Sequence, residues 1–156
     1  MMYKSEEEFL AAYNPEEFDR LALTTDILIL SISDEEQANY RKTTKKHMSV
    51  LLVKRDDYPF KDKWCLPGGY VGIEETSKEA SNRILKKETG LTDVYMQQVG
   101  IYDSINRDPR GRTVSSSYMA LIDRTILKQE ISKDAAWFDI DVIEKDNTIN
   151  VRLINN

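Results

Sequence analysis

Three arginines fall within one short polar stretch, Ser104 to Arg112, which contains Asn106-Arg107-Asp108-Pro109-Arg110-Gly111-Arg112. Guanidinium groups at Arg107, Arg110 and Arg112 can each make paired hydrogen bonds to diphosphate oxygens, a geometry that a lysine ammonium does not offer. The plainer alternative is a solvated hairpin tip in which Arg107 or Arg110 pairs with Asp103 or Asp108. A second local signal is Trp64-Cys65-Leu66-Pro67-Gly68-Gly69. Proline ends a strand there, and the paired glycines let something approach the backbone closely because no Cβ stands in the way.

Regular elements must hold these residues. Ser5 to Tyr13 reads as a short acidic helix with Phe9 and Leu10 on one side, broken by Asn14-Pro15. Thr25 to Ile32 and Met48 to Lys54 are β-branched and apolar over strand-like lengths, and are expected to be neighbouring central strands with a solvated connection. Thr76 followed by Glu79 forms a capping-box signature, Ser77 to Thr89 runs without Gly or Pro, and Gly90 is placed to stop that helix. Val94 to Tyr102 and Val114 to Ile122 are expected strands on either side of the arginine loop, with Ala135 to Ile140 and Ile149 to Ile154 as further extended segments. Tyr118, Trp64 and Trp137 are expected core aromatics. Cys65 is the sole cysteine and reads as a small core residue between Trp64 and Leu66, so disulfides within the chain and thiolate zinc cages are excluded.

The 156 residues suit one domain spanning 1–156. With 40% hydrophobic and 31% charged residues, the composition is that of a globular chain rather than a disordered or fibrous one. The balance of 22 basic against 27 acidic side chains gives −5, which argues against broad attraction to nucleic acid or anionic lipid. A phosphorylated ligand therefore needs a local cationic pocket. No apolar run approaches the roughly 18 residues of a membrane span, and Met1 to Glu8 is charged where a signal peptide is apolar. A cytoplasmic location is expected.

Between the glycines and the end of the predicted helix the spacing follows a pattern: Gly69, five residues, Glu75, seven residues, Arg83, then Glu88-Thr89-Gly90-Leu91. With the preceding Leu66-Pro67-Gly68, this resembles the Nudix box, G-x5-E-x7-R-E-U-x-E-E-x-G-U, in which U is a bulky aliphatic residue. The resemblance implies an α/β fold, an α/β/α sandwich around a mixed β-sheet, and a ligand in which a nucleoside diphosphate is linked to another group. In active members, carboxylates at the positions matching 84, 87 and 88 share one helix face and hold Mg²⁺, which draws charge from the pyrophosphate and helps ionise water. This chain has Ile84 and Lys87 at two of those positions. The resemblance thus leaves Glu75 and Glu88 as metal ligands of a weakened Mg²⁺ site and Glu88 as the surviving catalytic carboxylate. It gives Gly69 and Arg83 structural roles, with Arg83 paired to Glu88 or Glu75, and leaves Glu74 and Glu79 as nearby carboxylates available to compensate.

The likeness extends to Glu6-Glu7-Glu8-Phe9-Leu10, the strand Thr25 to Ile32, Pro59-Phe60 before Trp64, the arginine loop before Tyr118, and Trp137-Phe138. That arrangement is similar to Nudix-related regulators of NAD metabolism and to ADP-ribose pyrophosphatases. It implies ADP-ribose or a related nucleotide as ligand, held by Arg107, Arg110 and Arg112. In the regulators a winged helix-turn-helix follows the Nudix domain and binds DNA. No basic recognition helix occurs in this chain, so the expectation is the N-terminal part of a longer protein, with DNA contacted only through a further domain. Members often form homodimers. The leading expectation is a sensor with weakened or absent hydrolysis; a Mg²⁺-dependent hydrolase of ADP-ribose and a non-nucleotide interaction module are the alternatives.

Overall fold

The β-branched run that begins near Thr25 forms the axis of the fold, strand β1 (Ala22–Asp34). The computed structural model describes residues 5–34, 46–124, 127, 129–145 and 148–155. Around β1 are β2 (Lys46–Lys54), β3 (Trp64–Cys65), β4 (Gly68–Tyr70), β5 (Gln97–Tyr102), β6 (Thr113–Ile122), β7 (Ala135–Lys145) and β8 (Thr148–Ile154). They form one mixed eight-stranded sheet in the order β5-β6-β1-β2-β7-β8, with β3 on β2 and β4 on β1. β1 and β6 run parallel and the other pairs antiparallel.

Strand alternation divides the core. Ile27 and Ile29 of β1 face one side and join Leu51, Tyr118, Ala120 and the apolar stripe of helix α2 (Ser77–Thr89). Leu28 and Leu30 face the other side and pack with Val50, Leu52 and Phe138 in a smaller cluster. Helix α1 (Glu6–Ala12), capped by the Ser5 side chain, buries none of its residues.

Helix α2 has the predicted bounds because its signals are local. The Thr76 hydroxyl accepts from the Glu79 N–H, the Glu79 carboxylate accepts from the Thr76 N–H, and Gly90 at φ 81 closes the helix in the left-handed conformation. Ala80, Ser81, Ile84, Leu85 and Thr89 face the sheet, and the Ser81 hydroxyl meets that of Thr25 at 2.8 Å. Burying Ile84 and Leu85 stabilises the fold by about 1.5–3 kcal/mol each.

Several sequence expectations need correction. β5 starts at Gln97 rather than Val94, because Leu91, Val94 and Met96 turn into the core before the ladder begins. β7 runs to Lys145, five residues beyond Ile140, because β8 pairs with it from Asp139 to Lys145. Trp64 is 39% exposed and packs edge-on against Phe138 with ring centroids 5.0 Å apart, so it rims the core instead of filling it. Tyr118 is buried as expected, and Trp137 packs against the main cluster. The connection between β1 and β2 lies, for residues 35–45, outside the described residues. No helix among the described residues is long and apolar enough to cross a membrane.

Candidate functional site

The turn from β3 into β4 brings Gly68 against β1, opposite Asp26. A Cβ at Gly68 would lie 2.5 Å from Asp26 Oδ1 and 2.9 Å from the Thr25 carbonyl oxygen, so this close approach requires glycine. The freed Gly68 N–H donates to Glu88 Oε2 at 3.1 Å. Glu88 therefore reaches from the last turn of α2 to the glycine backbone, where burial pushes its carboxyl above the usual range while the Gly68 N–H and the Lys87 charge oppose that rise. A cleft of about 550 Å³ opens here, lined by Gly68, Lys87, Glu88, Arg55, Lys61 and Asp56 among others. Burial raises the Cys65 thiol as well, at the wall of the same cleft.

The other motif carboxylate is held elsewhere. Glu75 Oε1 accepts from the Gly72 N–H at 2.7 Å, Glu75 Oε2 accepts from Arg83 Nε at 2.9 Å, and Arg83 Nη2 also donates to Glu75 Oε1. Arg83 Nη2 reaches the Tyr70 carbonyl at 3.0 Å as well, so of the two partners expected for Arg83 the structure selects Glu75. The Arg83 guanidinium, aided by the Gly72 N–H, lowers the Glu75 carboxyl to about 2. A carboxyl depressed in this way contributes stability that is present above its ordinary 4.5 and lost as pH falls through about 2. Replacing Arg83 by Ala is expected to move the Glu75 midpoint up toward 4.5, stopping short because the Gly72 N–H remains. A side-chain carbonyl NMR titration checks this, and an unchanged midpoint would show that the guanidinium is not the cause.

Mg²⁺ needs clustered oxygen ligands, and this donor set does not supply them. Ile84 is 2% exposed and packs in the core, with its Cδ1 3.2 Å from where a Cβ at Gly69 would stand. Lys87 lines the cleft beside Glu88, while Glu75 is engaged by Arg83. Among the described residues no three of His, Cys, Asp and Glu lie close enough to hold a metal ion. An ammonium 4 Å from a dication costs about 2 kcal/mol in water and about 8 kcal/mol at an effective dielectric of 20.

A second cleft of about 500 Å³ adjoins the first and shares Arg55, Cys65 and Gly68 with it. Two of the three loop arginines line it. Arg107 donates from Nη2 to Asp26 Oδ2 at 3.3 Å and from Nη1 to Thr113 Oγ1 at 3.2 Å. Arg110 makes a bidentate pair with Asp108, at 3.0 and 2.7 Å, and lies 5.3 Å over the Tyr70 ring. That guanidinium holds the Asp108 carboxyl at about 2. Arg112 is not brought to the cleft; it donates to the Asp103 carbonyl. Thus the pairing of Arg110 with Asp108, the plainer expectation, coexists with a position on the cleft wall.

Sequence reasoning missed Asp26, Arg55, Phe60 and Tyr70. Asp26 gave a signal, as a charged residue inside an otherwise apolar strand, and it accepts from both Arg107 and the Ser115 hydroxyl. Arg55 leaves the end of β2 and donates from Nε to the Pro59 carbonyl at 2.7 Å, a turn contact that spacing does not announce. Phe60 lies on the second cleft, 65% exposed and at φ 64, a conformation that bulky residues rarely adopt.

The family profile of the NUDIX domain matches residues 37–155, and this chain belongs to the Nudix family. Members of this family that are hydrolases generally use divalent metal ions. The chain is 32% identical over 143 residues to the ADPR responsive transcriptional repressor NtrR of Acinetobacter baylyi, covering 89% of this chain and 53% of that protein. It is 37% identical over 102 residues to the ADP-ribose pyrophosphatase of Methanocaldococcus jannaschii, covering 65% of this chain and 60% of that one. Matched regions thus span little more than half of each relative's length. Among solved structures, the NUDIX domain of Shewanella oneidensis NrtR complexed with ADP ribose aligns with a TM-score of 0.67 at 28% identity, over 86% of this chain and 82% of that one.

Proposed function

We propose that residues 1–156 form one Nudix domain, the N-terminal part of a longer transcriptional regulator, that senses ADP-ribose or a closely related nucleotide with little or no hydrolysis. The observation that carries this reading is the fate of the helix face: Ile84 is spent on packing and Lys87 brings a positive charge to Glu88's side. The ligand-binding parts persist beside it. Two adjoining clefts, with Arg55 common to both and Arg107 and Arg110 on the second, offer cations to a diphosphate. Phe60 and Tyr70 offer aromatic faces to a base. Two relatives named for ADP-ribose, one a repressor and one a pyrophosphatase, support the ligand class. DNA contact belongs in this reading to a further domain, because the net charge of −5 argues against broad attraction of this one to nucleic acid.

The test mixes the purified chain with ADP-ribose and Mg²⁺, follows AMP release by chromatography, and measures binding by calorimetry in the same sample. Saturable binding without AMP is the expected result. Steady AMP production that Glu88→Gln abolishes would replace the sensor by a hydrolase, and no heat of binding would leave only an interaction module.

A further inference from the structure

Two groups of cations stand out among the described residues. Arg83, Arg107 and Arg110 each hold a carboxylate: Glu75, Asp26 and Asp108 respectively. In the Glu88 cleft, Lys54 is likewise paired with Asp62 at 3.6 Å. Lys87, Arg55 and Lys61, which line that same cleft, have no carboxylate within salt-bridge distance among the described residues. Asp56, Glu88 and Asp134 share the cleft, but no three acids converge into a metal-binding set among the described residues. Lys87, Arg55 and Lys61 thus lie beside the glycine backbone without a close ion pair, Lys87 and Arg55 acting on Glu88 only at longer range, on the helix face that would otherwise present a dication to a diphosphate.

We infer that the Lys87 ammonium, with Arg55 and Lys61, takes the electrostatic place of a divalent cation in this cleft, so that a nucleoside diphosphate ligand binds without metal. The inference rests on the proposed reading of the domain as a nucleotide sensor. A resident ammonium is tethered to α2, whereas a divalent ion must first be recruited. Lys87 is exposed on a helix whose buried face lies elsewhere, so its substitution leaves the core intact.

Calorimetry with ADP-ribose on the intact chain tests this, once in EDTA and once in millimolar Mg²⁺. The expected dissociation constants agree within about twofold. Lys87→Gln is expected to weaken binding at least tenfold in EDTA without lowering the melting temperature, and Lys87→Glu to bind only when Mg²⁺ is added. Binding by the unaltered chain that appears only with Mg²⁺ would overturn the inference and leave the nucleotide-sensor reading standing. Equal binding by Lys87→Gln in EDTA would overturn it too, and no binding under either condition would overturn both.

Discussion

Ile84→Glu, which returns a carboxylate to a Nudix-box position, is expected to lower the melting temperature by about 10 °C at neutral pH and to create no metal site. Ile84 is 2% exposed, sits in the main core cluster with Leu85, Ile27 and Leu51, and closes against Gly69. A carboxylate there loses its hydration, and the effective penalty for an unpaired buried ion is several kcal/mol. At about 4 kcal/mol, with roughly 2–4 °C per kcal/mol for a domain of this size, the shift is about 8–16 °C. Such a carboxyl is raised above its unfolded value, so the loss is greatest at neutral pH and shrinks as pH falls and the group takes up a proton. Thermal melts at pH 7 and pH 5 check both statements. A melt within 2 °C of the parent at pH 7 would mean that position 84 reaches solvent or cations, contrary to its packing.

Gly68→Ala carries the second large effect, and it couples stability to binding. The new methyl would stand 2.5 Å from Asp26 Oδ1 and 2.9 Å from the Thr25 carbonyl, and the second of these is backbone that cannot swing aside. β4 must therefore move away from β1, and Asp26 must shift unless that movement clears it, disturbing its contacts with Arg107 and Ser115. Overpacking of this kind costs about 1–3 kcal/mol. Because Gly68 lines both clefts and its N–H holds Glu88, ADP-ribose affinity is expected to fall at least tenfold at the same time. Gly100→Ala serves as control, since its Cβ would find its nearest neighbour at 4.0 Å. Equal melting and binding for the two variants would show that the close approach at Gly68 is not needed.

What could be read in the sequence depended on how far each signal had to reach. The capping box Thr76/Glu79 and the Gly90 stop act within a few residues, and α2 has the predicted bounds. Strand lengths depend on partners far along the chain, so β7 grew by its ladder with β8 and β5 shortened where Met96 entered the core. The same distinction governed the site. Gly69, Arg83 and Glu88 could be placed by spacing, whereas Arg107 meets Asp26 across 81 residues and Arg55 joins two clefts through a turn. Lys87 was legible as a departure from the family pattern, but its lack of a carboxylate partner among the described residues emerged only in three dimensions.

Strand β1 is flanked by β6 on one edge and, on the other, by β4 along its first part and β2 along its last. Its amides point alternately to the two edges, so each is released only when the ladder on its own side parts, and exposure of the whole strand to deuterated water needs both ladders to open. Asp26 belongs to that strand, and Arg107 to the exposed loop above it. The Arg107–Asp26 pair thus ties an exposed loop to the strand with neighbours on both edges, so opening the pair releases the loop side chain while the strand keeps its ladders.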